Sequence, residues 1–279
     1  MRCAKKSLLA AGLASLLAAA PADSQAPAAI PNLSYADLAD LSLAAPVAAH
    51  VRLRRAVALK AAEAGNVPAG KGRFYVEADV VSLIKGAGGL PARVKYLADL
   101  PLGPDGKPRK PQKKSEYIIL AAPVTARPGE LRLVASDAQL PFNLDRAAQI
   151  RGILQEANSP NAAPRITGIG KAFHVPGSLP GESETQVFLQ TADGRPVSLS
   201  VLRRPGETPR WAFALGEMVD DAAGPPIPNS LLWYRLACTL PSALPPHSLA
   251  EAEQAQRAAI QADYRLVIEQ LGACVRSRG

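Results

Sequence analysis

The sequence is poor in aromatic residues, cysteine and histidine. Of 279 residues, only 5% are Phe, Trp or Tyr, and there are three cysteines and three histidines. So few aromatic side chains leave little material for a surface on which nucleic-acid bases could stack. The cysteine spacing excludes a zinc or redox site built from C-x-x-C segments. A zinc site that His50, His174 and His247 form only in the folded chain stays an alternative.

Long hydrophobic runs are also missing, except for one stretch near the N-terminus. Arg2, Lys5 and Lys6 precede the apolar run 7–20, and an Ala-Pro-Ala site ends at Ala22. A positive region, an apolar region and a small-residue cleavage site are the three parts of a signal peptide. We therefore expect residues 1–22 to be removed and the protein to be periplasmic or secreted, with a retained N-terminal anchor as the alternative. No other run reaches 18 apolar residues, so we expect no transmembrane segment in the mature chain.

Export changes the charge balance and the cysteine count. Loss of the three basic residues of the signal peptide lowers the formal net charge from +8 to +5. Such a mildly basic balance does not indicate a nucleic-acid-binding protein. The mature chain keeps Cys238 and Cys274, and an even count in an oxidising compartment predicts one disulfide. Two unpaired buried thiols are the alternative.

Hydrophobic periodicity predicts an α+β fold, with a small antiparallel barrel followed by an antiparallel meander and C-terminal helices. A helix capped by Ser34 precedes five short strands with no helices between them, which favours a barrel over a βαβ sheet. These strands are predicted at 51–60, 74–84, 92–98, 116–122 and 130–134.

The second half begins with a helix that Asn143 caps and that runs to about residue 157. Four strands are predicted at 166–174, 184–191, 197–204 and 210–215. Two C-terminal helices are predicted, at 230–238 and 248–271. Ser248 and Glu251 resemble a capping box at the start of the second one, and Gly272 would end it. The predicted organisation is a signal peptide (1–22), a flexible lead-in (23–33), a β domain (34–142) and an α+β domain (143–279).

The N-terminal half resembles a netrin-like module, whose fold is an OB-type barrel. The resemblance lies in the helix-to-strand passage 35–51, the strand 75–86 and the later strands 116–122 and 130–134. Inhibitory members of that family use an N-terminal cysteine and several disulfides. This half has no cysteine after the signal peptide, so protease inhibition is not implied. The whole chain also resembles an exported alphaproteobacterial family without a known activity, through the segments 182–186 and 233–238.

A loop rich in proline and lysine separates the third and fourth predicted strands. Its five cations are Lys107, Arg109, Lys110, Lys113 and Lys114. The loop is either a solvated turn that prevents edge pairing or a contact surface for anionic head groups, polymers or proteins. Arg203, Arg204 and Arg210 beside Trp211 are a second candidate anion surface or, alternatively, hairpin-edge charges.

No catalytic motif is complete in this sequence. Ser82 and Lys85 match S-x-x-K, but an alternating strand would separate the two side chains. Residues 65–71 match the start of a P-loop, but Gly72 replaces the Ser or Thr that would bind magnesium. Glu182 and Glu184 could equally be surface residues. We predict no catalytic, cofactor or metal residues and a non-catalytic protein that binds an envelope component or a protein partner. An envelope hydrolase whose site comes from distant residues is the alternative.

Overall fold

Six strands build the N-terminal half, and four more build the second half. The structure is a computed structural model that describes residues 33–215 and 224–278. The predicted signal peptide therefore lies outside the described residues. The strands of the first half are β1 (Val47–Ala58), β2 (Lys71–Lys85), β3 (Arg93–Pro101), β4 (Glu116–Pro123), β5 (Glu130–Leu133) and β6 (Gln139–Pro141). Those of the second half are β7 (Ile166–Pro176), β8 (Ser183–Thr191), β9 (Val197–Arg203) and β10 (Arg210–Leu215).

Five helices and one short 3-10 helix complete the described fold. The helices are α1 (Tyr35–Ala44), α2 (Ala61–Ala64), α3 (Leu144–Ala157), α4 (Leu231–Ala237) and α5 (Gln254–Leu271), with the 3-10 helix at Pro246–Leu249. Ser34 caps α1 in a capping box with Asp37, and Asn143 caps α3 by accepting from the Arg146 amide. Gly272 ends α5 with φ at 72°, a conformation in which a side chain would be strained. These three predicted helix ends are confirmed.

Strands β1 to β5 form a closed barrel because β1 pairs with both β2 and β4. Every pair is antiparallel except the short β3–β5 pair, which is parallel. Alternation within β2 sends Phe74, Val76 and Ala78 into the interior, where none of the three is exposed. Period-two patterning thus supplies the barrel core, as the sequence predicts.

Helices α1 and α3 pack on the outside of the barrel. Leu38 and Leu41 of α1 form one buried cluster with Ile150 and Ile153 of α3 and Ile118 of β4. The helix that opens the predicted second domain therefore shares a core with the first predicted domain. The boundary at residues 142 and 143 stays a prediction.

The second half is an open four-stranded antiparallel sheet in the order β10-β9-β8-β7, covered by helices. Its core joins one face of the sheet to α4 and α5, with Trp211, Trp233 and Tyr264 among the buried side chains. Closed barrel, meander and C-terminal helices together confirm the predicted α+β class.

The start of the last helix is the clearest error of the sequence analysis. We expected Ser248 to cap it with Glu251, but α5 begins at Gln254 and its N-cap is Glu253. Ser248 instead lies in the 3-10 helix, where its hydroxyl finds no hydrogen-bond partner among the described residues. The adjacent His247 ring contacts the Ile169 carbonyl of β7 at 2.9 Å. Packing on the sheet thus overrides the local capping pattern.

Candidate functional site

The basic loop connects β3 to β4 at one end of the barrel, and both of its ends are fixed. The Leu102 amide donates to the Gly70 carbonyl at 3.0 Å, and a β-bridge joins Leu102 to Pro108. At the other end, the Lys114 amide donates to the Leu53 carbonyl at 3.0 Å. The backbone of the loop is therefore attached at one end to the segment that connects β1 to β2 and at the other end to β1.

All five cations of the basic loop are exposed. Within the described part of the chain, none of them lies in an ion pair with a carboxylate. The carboxylate of Asp105 accepts from the Lys107 backbone amide at 3.2 Å rather than from a lysine side chain. The loop thus presents positive charge that the described fold does not neutralise.

A cleft of about 640 Å³ opens on the same barrel, beside the pairing of β3 with β5. That pairing covers only two residues of each strand. Tyr75, Leu97 and Leu133 contribute apolar surface, and Lys95 and Arg132 line the cleft without an ion-pair partner among the described residues. Its volume lies within the range of small-molecule sites, and its unpaired cations favour an anionic ligand.

The three histidines lie in three separate places. His50 stacks on Phe142 with ring centroids 3.7 Å apart, and its Nε2 lies 2.9 Å from Glu116. His174 contacts Thr185, and His247 contacts β7. Among the described residues, no group of three or more His, Cys, Asp or Glu side chains is placed to hold a metal ion.

One polar network, which the sequence analysis missed, crosses the core of the second half. The carboxylate of Asp263 on α5, only 1% exposed, accepts from Arg203 Nε at 2.6 Å and from the Thr185 hydroxyl. Because that hydroxyl gives its single proton to Asp263, it accepts from Nδ1–H of His174 at 2.8 Å. Nδ1 of His174 is therefore the ring nitrogen that faces this network.

The other ring nitrogen of His174 has no hydroxyl or thiol hydrogen-bonded to it among the described residues. A serine or cysteine nucleophile activated by a histidine needs such a hydrogen bond. The network also pairs Arg203 with Asp263, which removes Arg203 from the second candidate anion surface. The sequence signal for this network was Asp263, a charged residue that lies between Ile260 and Tyr264 on the buried, otherwise apolar face of α5.

The other candidate motifs have structural partners. Ser82 and Lys85 lie on β2, and Lys85 Nζ donates to the Ser42 carbonyl at 3.2 Å. Glu182 accepts from two backbone amides of its own turn, and Glu184 accepts from Gln186 and Ser200. None of these contacts forms a catalytic pair.

The predicted disulfide between Cys238 and Cys274 is confirmed. Its Cα atoms are 5.0 Å apart, and it joins the end of α4 to the segment that follows α5. The bond closes a loop of 36 residues in a protein whose second sheet is open at both edges.

Comparison with known proteins adds no family to these observations. No protein-family model matches this chain, and no curated protein matches its sequence. The five-stranded barrel is compatible with an OB-like fold. Among the described residues, no helix is long and apolar enough to cross a membrane.

Proposed function

We propose that the protein is an exported, non-catalytic binding protein that uses the basic loop to contact anionic envelope components. The observation that carries this proposal is the set of five exposed cations without ion pairs in the described structure. Charges that serve folding are usually paired or hydrogen-bonded, as Asp263 is. Cations left unpaired on a fixed loop are available to an external anion.

Both ends of the basic loop are attached to the barrel, so the loop presents its cations as a fixed surface rather than on a flexible tether. Three prolines, at 104, 108 and 111, keep the segment out of regular structure, while its two ends are bonded to the barrel. A loop held in this way loses little conformational entropy when it binds. At physiological salt the screening length is about 8 Å, so the attraction is short-ranged and weakens as salt increases.

Export is supported by the N-terminal sequence and by the disulfide. Structural disulfides persist mainly in oxidising compartments such as the periplasm and the extracellular space. We expect the mature chain to begin at Asp23. The intact mass of protein isolated from the cell envelope tests this expectation, and a species that retains residues 1–20 contradicts it.

The strand order supports the resemblance of the N-terminal half to a netrin-like module. That module is an OB-type barrel, and OB folds are five-stranded Greek-key barrels whose faces and loops bind extended ligands. The cleft beside β3 and β5 and the basic loop lie on such a barrel here. Family membership is a hypothesis that this shared architecture supports.

The binding proposal is tested with a loop variant and a charge-matched control. In the loop variant, the five cations are replaced by glutamine, which removes the charge and keeps a polar side chain. In the control, five exposed cations elsewhere that have no ion-pair partner among the described residues are replaced in the same way. The control positions are Arg55, Lys60, Arg151, Arg165 and Arg265, which lie outside the cleft and outside the second candidate anion surface.

Co-sedimentation with phosphatidylglycerol-containing vesicles, at low and at physiological salt, measures binding. We expect the native chain and the control to bind at low salt and the loop variant to lose most of its binding. Vesicles of phosphatidylcholine alone should bind none of the three. Equal loss in the two variants would mean that only net charge matters, and unchanged binding by the loop variant would reject the proposal.

A further inference from the structure

The segment that follows α5 lies against three aspartates of the N-terminal half. Arg276 Nε donates to Asp40 at 2.7 Å, and the Ser277 amide donates to Asp37 at 2.9 Å. Arg278 donates through two nitrogens to Asp137, each at 2.7 Å. Three consecutive residues therefore each use a different carboxylate. We call residues 275–278 the clasp.

These contacts connect the two halves of the described chain. Asp37 and Asp40 belong to α1, and Asp137 precedes β6, whereas the clasp continues from the helix layer of the second half. The hydroxyl of Tyr234 on α4 also donates to Asp40 at 2.6 Å. The clasp thus closes α4 and α5 onto α1 and the turn before β6.

The clasp has almost no apolar anchor of its own. Val275 is 62% exposed, and the side chain of Arg276 is 42% exposed. Exposed ion pairs contribute little to stability individually. The disulfide at Cys274 holds the start of the clasp beside α4, which raises the effective concentration of its polar groups near the aspartates.

The surroundings of the disulfide determine which of its two sulfur atoms leaves when the bond is reduced. Both cysteines are only half-buried, and Arg276 places a guanidinium nitrogen 3.3 Å from Cys274 Sγ. A neighbouring cation stabilises a thiolate, so Cys274 is the better leaving group when an external thiolate attacks Cys238.

We propose that the Cys238–Cys274 disulfide is a redox gate for the clasp. A dithiol reductant attacks Cys238 Sγ, the S–S bond breaks, and Cys274 leaves as a thiolate. The second thiol of the reductant then displaces Cys238 from the mixed disulfide. The products are two protein thiols and one reductant disulfide, so two electrons and two protons pass to the protein. The clasp then opens while the barrel and the second sheet keep their own cores.

Site-resolved hydrogen exchange on the full chain, with and without dithiothreitol, tests the gate. We expect the Ser277 and Arg278 amides to exchange at least about tenfold faster after reduction, as local opening requires. Amides of β1, β4, β8 and β9 exchange through global unfolding, so they should lose no more protection than the lower free energy of unfolding of the reduced chain accounts for. Unchanged exchange at Ser277 and Arg278 would overturn the proposal, and so would strand amides that exchange as fast as those of the clasp.

Two variants separate the gate from side effects of the reductant. The double variant Cys238→Ser/Cys274→Ser should show the open clasp without reductant and no further change with it. Asp193→Asn removes an exposed ion pair with Arg195, far from the clasp in sequence, and should respond to dithiothreitol as the native chain does. If the double variant does not fold, dithiothreitol titration of the native chain still decides the proposal. A closed clasp in the folded double variant would contradict it.

Discussion

In the barrel half, the five cations of the basic loop are exposed and have no ion pair within the described structure. In the second half, by contrast, a buried carboxylate accepts a hydrogen bond at each of its two oxygens. Asp263 accepts from Arg203 and Thr185, and its side chain is only 1% exposed. A closed barrel satisfies its strand edges without help from side-chain charge. The open sheet instead depends on helices, a disulfide and a buried network. The difference indicates which charges stabilise the fold and which are available for binding.

The largest expected effect is on the buried network of the second half. Asp263→Ala removes the acceptor of both Arg203 and Thr185 and leaves their polar groups without it. Removing one partner of a buried ion pair leaves an uncompensated buried charge, so we expect a loss of about 3–5 kcal/mol in the free energy of unfolding. Urea unfolding measures it. Asp193→Asn, at an exposed ion pair, should change stability by less than about 1 kcal/mol. Equal losses in the free energy of unfolding would contradict the claim that the buried carboxylate stabilises the fold more than the exposed one.

Removal of the disulfide should have a similar or slightly smaller effect. The chain-entropy model gives about 3–4 kcal/mol for a closed loop of 36 residues. The double variant Cys238→Ser/Cys274→Ser should therefore unfold at lower urea concentration than the oxidised native chain. Reductant should shift the native chain in the same direction and leave the variant unchanged. A native chain insensitive to reductant would show that the bond does not stabilise the fold.

Acid should weaken the contact between the clasp and α1. Burial raises the pKa of Asp37, but hydrogen bonds from Ser277 and Ser34 outweigh burial and lower the pKa to about 2. Because the folded pKa lies below the unfolded one, Asp37 stabilises the fold above about pH 4 and loses this contribution as pH falls towards 2.

Unfolding at a series of pH values checks this expectation. Asp37→Asn should flatten the loss of stability between about pH 4 and pH 2. Asp79→Asn, which removes an exposed carboxylate on β2, should keep the native pH profile. An unchanged slope in Asp37→Asn would contradict the assignment of this acid sensitivity to Asp37.

The smallest expected effect is on the basic loop. Replacement of its five cations by glutamine removes no ion pair of the described structure, so the melting temperature should change by at most about 2 °C, as for ordinary surface substitutions. A small increase is expected because like charges no longer repel each other. Thermal unfolding followed by circular dichroism measures it. A fall of many degrees would show that these cations stabilise the barrel.

Local sequence signals predicted the elements whose partners are close along the chain. The caps at Ser34 and Asn143, the turn at Gly272 and the alternation in β2 each depend on neighbouring residues. The disulfide could be predicted because only two cysteines follow the predicted signal peptide. The three-residue strand β6 and the one-turn helix α2 were missed because segments so short carry no periodicity.

Contacts between distant residues could not be predicted in the same way. Thr185 and Asp263 are 78 positions apart, and Arg278 lies 141 positions after Asp137. The charge of Asp263 among apolar residues of α5 indicates a buried polar contact, but nothing in the local sequence indicates which side chain meets it. The carboxylates that accept from Arg276 and Arg278 are brought near these residues only by the packing of α1 beside α4.

The most direct test of the central claim is a lysine acetylation footprint of the native chain, with and without phosphatidylglycerol-containing vesicles. Mass spectrometry follows the reaction rate of each lysine. We expect Lys107, Lys110, Lys113 and Lys114 to react more slowly when vesicles are present, whereas Lys171 in the second half should react at the same rate. Uniform protection of all lysines, or protection at Lys171 with the loop unchanged, would contradict it.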